Sequence, residues 1–199
     1  MKIIGITGGI GCGKSRVCAY MKKKYDAEII MADDIGHEVM LPGTKCHEKL
    51  QSMFEPECFN EDGTLNRKKV GNIAFKDPAV LERMNSVIHP AVWEEIMKRL
   101  ENARQNNKNI AVLEAAILLE SKYADICDEL WYIYADRGSR VERLLSSREI
   151  TGEKIGHVME RQLSEKGFRE GCDFVIDNSG DFEKTAAEID LRLAERHFI

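Results

Sequence analysis

The chain has 199 residues, of which 43% are hydrophobic and 32% charged, and its formal net charge is −5. That length suffices for one good core with one or two inserted subdomains, and the ordinary apolar fraction excludes a fibrous or disordered chain. The acidic balance supplies no global field for nucleic acid, so a polyanion must be held by a local basic cluster.

The first residues carry one lysine and a short apolar run broken by glycines, without the longer apolar core of a signal peptide. No run approaches the length of a membrane-spanning helix. Six cysteines stand at 12, 18, 46, 58, 127 and 172, with no C-x-x-C pair or metal-ligand spacing. They read as reduced thiols of a cytoplasmic protein.

In chain order, Ile3-Ile4-Gly5-Ile6 predicts a first strand. Gly8-Gly9-Ile10-Gly11-Cys12-Gly13-Lys14-Ser15 follows it and fits the spacing G-x-x-x-x-G-K-S. Glycines let the backbone turn so that successive N–H groups face one anion. A helix starting near Lys14 adds its positive end, with Val17, Met21 and the apolar part of Tyr20 on one face. Lys14 then reaches the β- and γ-phosphates of a nucleotide, and the Ser15 hydroxyl holds Mg²⁺. The alternative is a structural glycine turn beside a surface lysine. Cys12, close to a helix N-terminus, is either a thiol of lowered pKa or a passive filler.

Glu28-Ile29-Ile30-Met31 predicts a second strand ending at Asp33-Asp34. An aspartate at a strand's carboxyl end faces the ligand crevice of an open α/β sheet and is suited to general base or metal contact. Equally, Asp33 or Asp34 is an N-cap for the helix through Ile35 and Val39. Residues 41 to 90 carry helical patterns at Lys45–Phe54, Arg67–Phe75 and Pro78–Val87, with turns at Leu41-Pro42-Gly43 and Asn60-Glu61-Asp62-Gly63, and no convincing strand. This reads as a helical insertion suited to covering a substrate. Its Arg67-Lys68-Lys69 cluster reads as a solvated helix face. His89-Pro90 opens a helix to about Ala103, with proline at the first position; Trp93 and Ile96 pack inward.

Ile110-Ala111-Val112-Leu113, Leu130 to Ala135, and Phe174-Val175-Ile176 predict three further strands, closed by Glu114, Asp136 and Asp177-Asn178. Five strands separated by helices make a doubly wound parallel sheet. The last helix, Asp181 to Arg196, packs on it through Ala186, Ile189 and Leu193. Between the fourth and fifth strands, residues 137–169 hold eight basic and five acidic residues. Arg140, Arg143 and Arg148 are spaced to converge on phosphates, as a lid that excludes water requires. The alternative is an exposed charged helix, although Glu149 and Lys154 are out of register for an i,i+4 pair.

A guanine-nucleotide switch needs N-K-x-D; Asn107-Lys108-Asn109-Ile110 fails at its last place. The insertion and the arginine-bearing segment favour a small-molecule kinase over a nucleotide-dependent switch or binding module. The ordered motifs resemble the dephospho-CoA kinase family along almost the whole chain: the phosphate loop, Ala32-Asp33 with Gly36-His37-Glu38-Val39, Asp62-Gly63-Thr64-Leu65-Asn66-Arg67, His89-Pro90, Leu118-Leu119-Glu120, Arg143-Leu144, Gln162, and Asp173 to Asn178.

The resemblance implies an α/β fold, a five-stranded parallel sheet of the P-loop nucleoside triphosphate hydrolase type. It implies a core (1–31, 91–136, 170–199), a helical substrate-binding insertion (32–90) and a helical lid (137–169). It implies ATP and Mg²⁺, and transfer of the γ-phosphoryl group to the ribose 3′-hydroxyl of dephospho-CoA. Asp33 matches the catalytic aspartate. Gly9, Gly11, Cys12, Gly13, Lys14, Ser15 and Arg16 hold the nucleotide, with Asn178 near adenine; Arg140 and Arg143 join Lys14 on the transferring group; Arg67, His89 and Glu120 join Asp33 toward the acceptor. No nucleic acid or membrane is expected, and the chain is expected to be a monomer or weak homo-oligomer. Three positions depart from the family pattern: Met31 stands where an acidic residue is common, Ala116 where a proline is frequent, and Arg16 where a small hydroxyl residue is usual. A kinase for another nucleoside or nucleotide acceptor and a non-catalytic binding module remain the alternatives.

Overall fold

The computed structural model describes residues 1–146 and 152–199. Five strands, β1 (Lys2–Thr7), β2 (Glu28–Met31), β3 (Ile110–Glu114), β4 (Glu129–Tyr134) and β5 (Phe174–Asp177), form one sheet in the order β2-β3-β1-β4-β5. Pairing is parallel, with Lys2 opposite Ile110, Ile4 opposite Glu129 and Trp131 opposite Phe174. Every residue of β3, and all but the first of β1, is buried. Helices on both faces of a parallel sheet account for such continuous burial. Two aspartates extend the ladders at strand entry: Asp128 accepts from the Ile3 N–H at 2.7 Å, and Asp173 from the Leu130 N–H at 2.8 Å.

The helices are α1 (Lys14–Tyr25), α2 (Ala32–Glu38), α3 (Lys45–Gln51), α4 (Arg67–Lys76), α5 (Pro78–Gln105), α6 (Arg137–Ser146), α7 (Gly152–Glu160), α8 (Glu165–Gly171) and α9 (Phe182–Glu195). Two compact units result. The first combines residues 1–30 with 102–199, and the second is 31–101. The second has its own core of Cys46, Leu50, Cys58, Leu65 and Val70, with Met84, Val87 and Ile88 packed against it. Thr44 caps α3 by accepting from the His47 N–H, and Asn66 caps α4 by accepting from the Lys69 N–H.

Two expected helix boundaries are corrected. His89-Pro90 does not open a helix: α5 runs unbroken from Pro78 to Gln105 with Pro90 inside it. Proline has no N–H, so the bond to the carbonyl four residues earlier is lost. Both Ser86 and Pro90 are exposed, where water can take the freed carbonyl. Neither Asp33 nor Asp34 caps α2. Met31, the last residue of β2, is the N-cap in extended conformation, and both aspartates sit inside the first helical turn. Within α5, Ile96 is fully buried and Trp93 half-buried.

The first unit contains a buried charge cluster. Glu129 is 1% exposed and accepts from Trp131 Nε1 at 2.9 Å, from the Arg192 guanidinium, and faces Arg196 Nε at 3.5 Å. Arg192 also stacks over Phe174, 4.6 Å from the ring centre. α9 is therefore held to β4 by charge, with Ile189 and Leu193 buried on the same helix. Arg192→Leu is expected to lower unfolding free energy by about 3 kcal/mol, because a buried carboxylate loses its nearest cation. Urea denaturation checks this. Glu129→Gln combined with Arg192→Leu should recover most of the loss, since no buried charge is then left unpaired and Arg196 is half-exposed to water.

Candidate active site

β1 ends at Thr7 and the loop of residues 8–13 turns onto α1. The turn uses left-handed backbone at Gly11 (φ 78°) and Gly13 (φ 91°), and Gly13 is the N-cap of α1. A side chain at Gly13 would be strained by its φ and would collide with the Asn178 amide. At Gly9 a Cβ would collide with the Arg140 guanidinium. The glycines thus serve close approach as well as turning.

Four of the expected residues, Lys14, Arg140, Arg143 and Asn178, meet around this loop. Lys14 Nζ donates to the Gly8 carbonyl at 2.9 Å and lies 3.4 Å from Glu114 Oε1 at the end of β3. Arg140 Nε donates to the Ile10 carbonyl at 2.8 Å. Arg143 Nη2 donates to the Asn178 carbonyl at 2.6 Å, with Nη1 3.5 Å from the Cys12 carbonyl. Asn178 is buried; its Nδ2 donates to the Cys12 carbonyl at 2.8 Å, and its Oδ1 accepts from Thr185 at 3.1 Å. Its side chain is thereby consumed in fastening β5 and α9 to the loop. Three cations and a helix N-terminus share one glycine turn, an arrangement suited to a polyphosphate.

Cys12 is a buried filler, the second of the two readings its position allowed. Burial pushes its pKa up and outweighs the lowering by Lys14 and Arg140. Cys18 behind it is pushed up to about 12, first by burial and then by the Glu114 carboxylate. All six thiols are free. Ser15, the second residue of α1, exposes its side chain. Arg16 lies over Phe182, 4.2 Å from the ring centre, in a cation–π stack.

Asp33 is exposed in the first turn of α2, with no hydrogen bond or ion pair among the described residues. Also in the second unit, Arg67 Nη2 lies 2.7 Å from His37 Nε2. Arginine only donates, so Nε2 accepts and the imidazole proton rests on Nδ1. The pair lines a cavity of about 410 Å³ with Met40, Asn60, Thr64 and Leu65. His89 is exposed on α5 and does not line it. Glu120 ends a 3₁₀ turn after β3 and is exposed. Arg148 and Glu149 lie outside the described residues.

Sequence reasoning gave no site role to His37 or Thr7. The His37–Arg67 contact spans 30 positions and leaves no local signal. Among the described residues the buried Thr7 hydroxyl has no hydrogen-bond partner, an orphan visible only once the strand is packed. Glu114, read as the close of a strand, is 4% exposed beside Lys14.

Comparison with known proteins agrees with this geometry. A model of the dephospho-CoA kinase family matches residues 2–184. A dephospho-CoA kinase of Dehalococcoides mccartyi is 34% identical over 98% of both chains. The crystal structure of TT1252 from Thermus thermophilus superposes with a TM-score of 0.84 at 26% identity, covering 98% of this chain and 97% of that one. A dephospho-CoA kinase from Campylobacter jejuni, 20% identical, shares the fold at a TM-score of 0.72 over 99% of this chain and all of its own. With the family pattern running from the first strand into the last helix of a five-stranded parallel kinase fold, the chain belongs to the dephospho-CoA kinase family.

Proposed function

We propose that this chain transfers the γ-phosphoryl group of ATP to the ribose 3′-hydroxyl of dephospho-CoA, giving coenzyme A and ADP. The observation that carries the reading is the convergence of Lys14, Arg140 and Arg143 on one glycine turn in a chain of this family. The backbone N–H groups of residues 11–15 hold the phosphates, and Arg16 flanks them. Lys14 and the two arginines spread positive charge over the transferring oxygens. The 3′-oxygen forms a bond to Pγ as the bond from Pγ to the β–γ bridging oxygen breaks, and ADP leaves with that electron pair. Asp33 takes the proton of the 3′-hydroxyl.

The exposed Ser15 hydroxyl, an oxygen donor, would hold Mg²⁺. When bound, the ion neutralises charge on the β- and γ-phosphates. Residues 32–90, with Arg67 and His89, take the acceptor, Glu120 borders it, and residues 137–169 act as the lid. The backbone beside Asn178 receives adenine. The substrate is a small molecule. Among the described residues no helix is long and apolar enough to cross a membrane; we assign the chain to the cytoplasm as a monomer or weak homo-oligomer.

The test measures ADP release with ATP, Mg²⁺ and dephospho-CoA beside a panel of nucleosides and nucleoside monophosphates, with product mass checked. Turnover confined to dephospho-CoA, with 3′-phosphorylated product, is the expected result. Turnover on a different acceptor would discard the substrate while keeping the chemistry. ATP binding without turnover on any acceptor would leave a binding module.

A further inference from the structure

Gln162 stands where the chain returns from α7 toward α8, and the return is firmly anchored. Ser164 caps α8 by accepting from the Gly167 N–H, and the buried Phe168 stacks on Tyr132 of β4 with ring centres 4.8 Å apart. From this foothold Gln162 Oε1 accepts two hydrogen bonds, each 3.0 Å long. One comes from the Ile10 N–H of the phosphate loop and the other from Arg140 Nη2. Arg140 closes the ring by donating its Nε to the Ile10 carbonyl.

Both polar ends of residue 10 are thus clamped, the N–H by Gln162 and the carbonyl by Arg140. The side-chain carbonyl has two lone pairs and both are used. The reverse amide orientation would turn an NH₂ toward two donors, so the network fixes which way Gln162 points. An arginine side chain has several rotatable bonds, and free in solvent it would spend little time over the loop. Here two acceptors on different segments hold its fork flat against the Gly9–Ile10 turn.

We infer that Gln162 is a positioning residue for phosphoryl transfer: its side-chain carbonyl sets Arg140 against the phosphate loop and ties the returning end of segment 137–169 to that loop. It touches no reacting atom and acts through Arg140. The inference rests on the reading of the site as a phosphoryl-transfer centre.

The test is a double-mutant cycle of Gln162→Leu and Arg140→Met, read in kcat, KM for each substrate and ATP affinity. Loss of one hydrogen bond to a charged group should lower kcat by about tenfold in Gln162→Leu, with KM for the acceptor unchanged. Arg140→Met should lose about a hundredfold or more, and the double variant should be no worse than Arg140→Met within about twofold. Additive losses, or an unchanged kcat in Gln162→Leu, would overturn the inference.

Amide exchange by NMR reads the clamp without catalysis. Ile10 N–H should exchange at least about tenfold faster in Gln162→Leu and stay protected in Gln162→Glu, which keeps both acceptor lone pairs. Unchanged Ile10 protection in Gln162→Leu would also overturn it. A wild-type protein silent toward dephospho-CoA would discard the acceptor alone; the cycle is then read in ATP affinity, where the same non-additivity is required.

Discussion

Asp33→Asn is expected to reduce turnover by about two orders of magnitude or more while ATP affinity stays within about twofold. Asparagine keeps the shape of the side chain and removes its ability to take a proton. Asp33 is exposed and makes no hydrogen bond among the described residues, so no packing or network is disturbed. The one structural loss is a negative charge in the first turn of α2, worth about 0.3–1 kcal/mol, and Asp34 remains beside it. Against a typical stability of about 5–15 kcal/mol, that loss leaves essentially all molecules folded. A hundredfold fall would therefore be chemical in origin. Single-turnover kinetics with dephospho-CoA, beside ATP titration, separates the two quantities. Turnover within about threefold of wild type would remove Asp33 as the base and leave it a helix-end charge.

Lys14→Ala is expected to act on both binding and rate, with ATP affinity lower by about tenfold or more and kcat lower by about a hundredfold. The ammonium sits 2.9 Å from the Gly8 carbonyl and 3.4 Å from the buried Glu114 carboxylate. Alanine therefore removes the proposed phosphate ligand and also takes a cation away from a carboxylate that has little water. A loss of stability of a few kcal/mol should accompany the kinetic loss. The combination Lys14→Ala with Glu114→Gln distinguishes the two effects: unfolding free energy should recover while ATP affinity does not. Normal ATP saturation in Lys14→Ala would overturn the assignment of the loop.

The phosphate loop, the five strands and the last helix were legible because their signals are local. Spacing within eight residues defines the loop, and continuous apolar runs define β1, β3 and β5. What escaped depended on distance or depth. For Cys12 the sequence left an activated thiol and a passive filler both open; burial, visible only in three dimensions, decides for the filler. Pro90 carries the signal of a helix start, and only the tertiary setting of α5 makes it an interior residue. For Asp33 and Asp34 a cap and a reacting carboxylate were equally open in the sequence, whereas Met31 serves as both strand end and cap. Arg16 finds Phe182 far along the chain, and no periodicity announces that stack.

The position of β1 in the sheet has a consequence for how the chain reaches its native state. β1 is the central strand, flanked by β3 and β4, so during synthesis it waits for partners more than a hundred residues downstream. At a synthesis rate of about 5–20 residues per second, that wait is about 5–20 s. Throughout it, Ile3, Ile4 and Ile6 flank unpaired backbone on both sides, the pattern that recruits a stray strand. The loop's anchor on the sheet is therefore a late product of folding, complete only once β4 has joined β1.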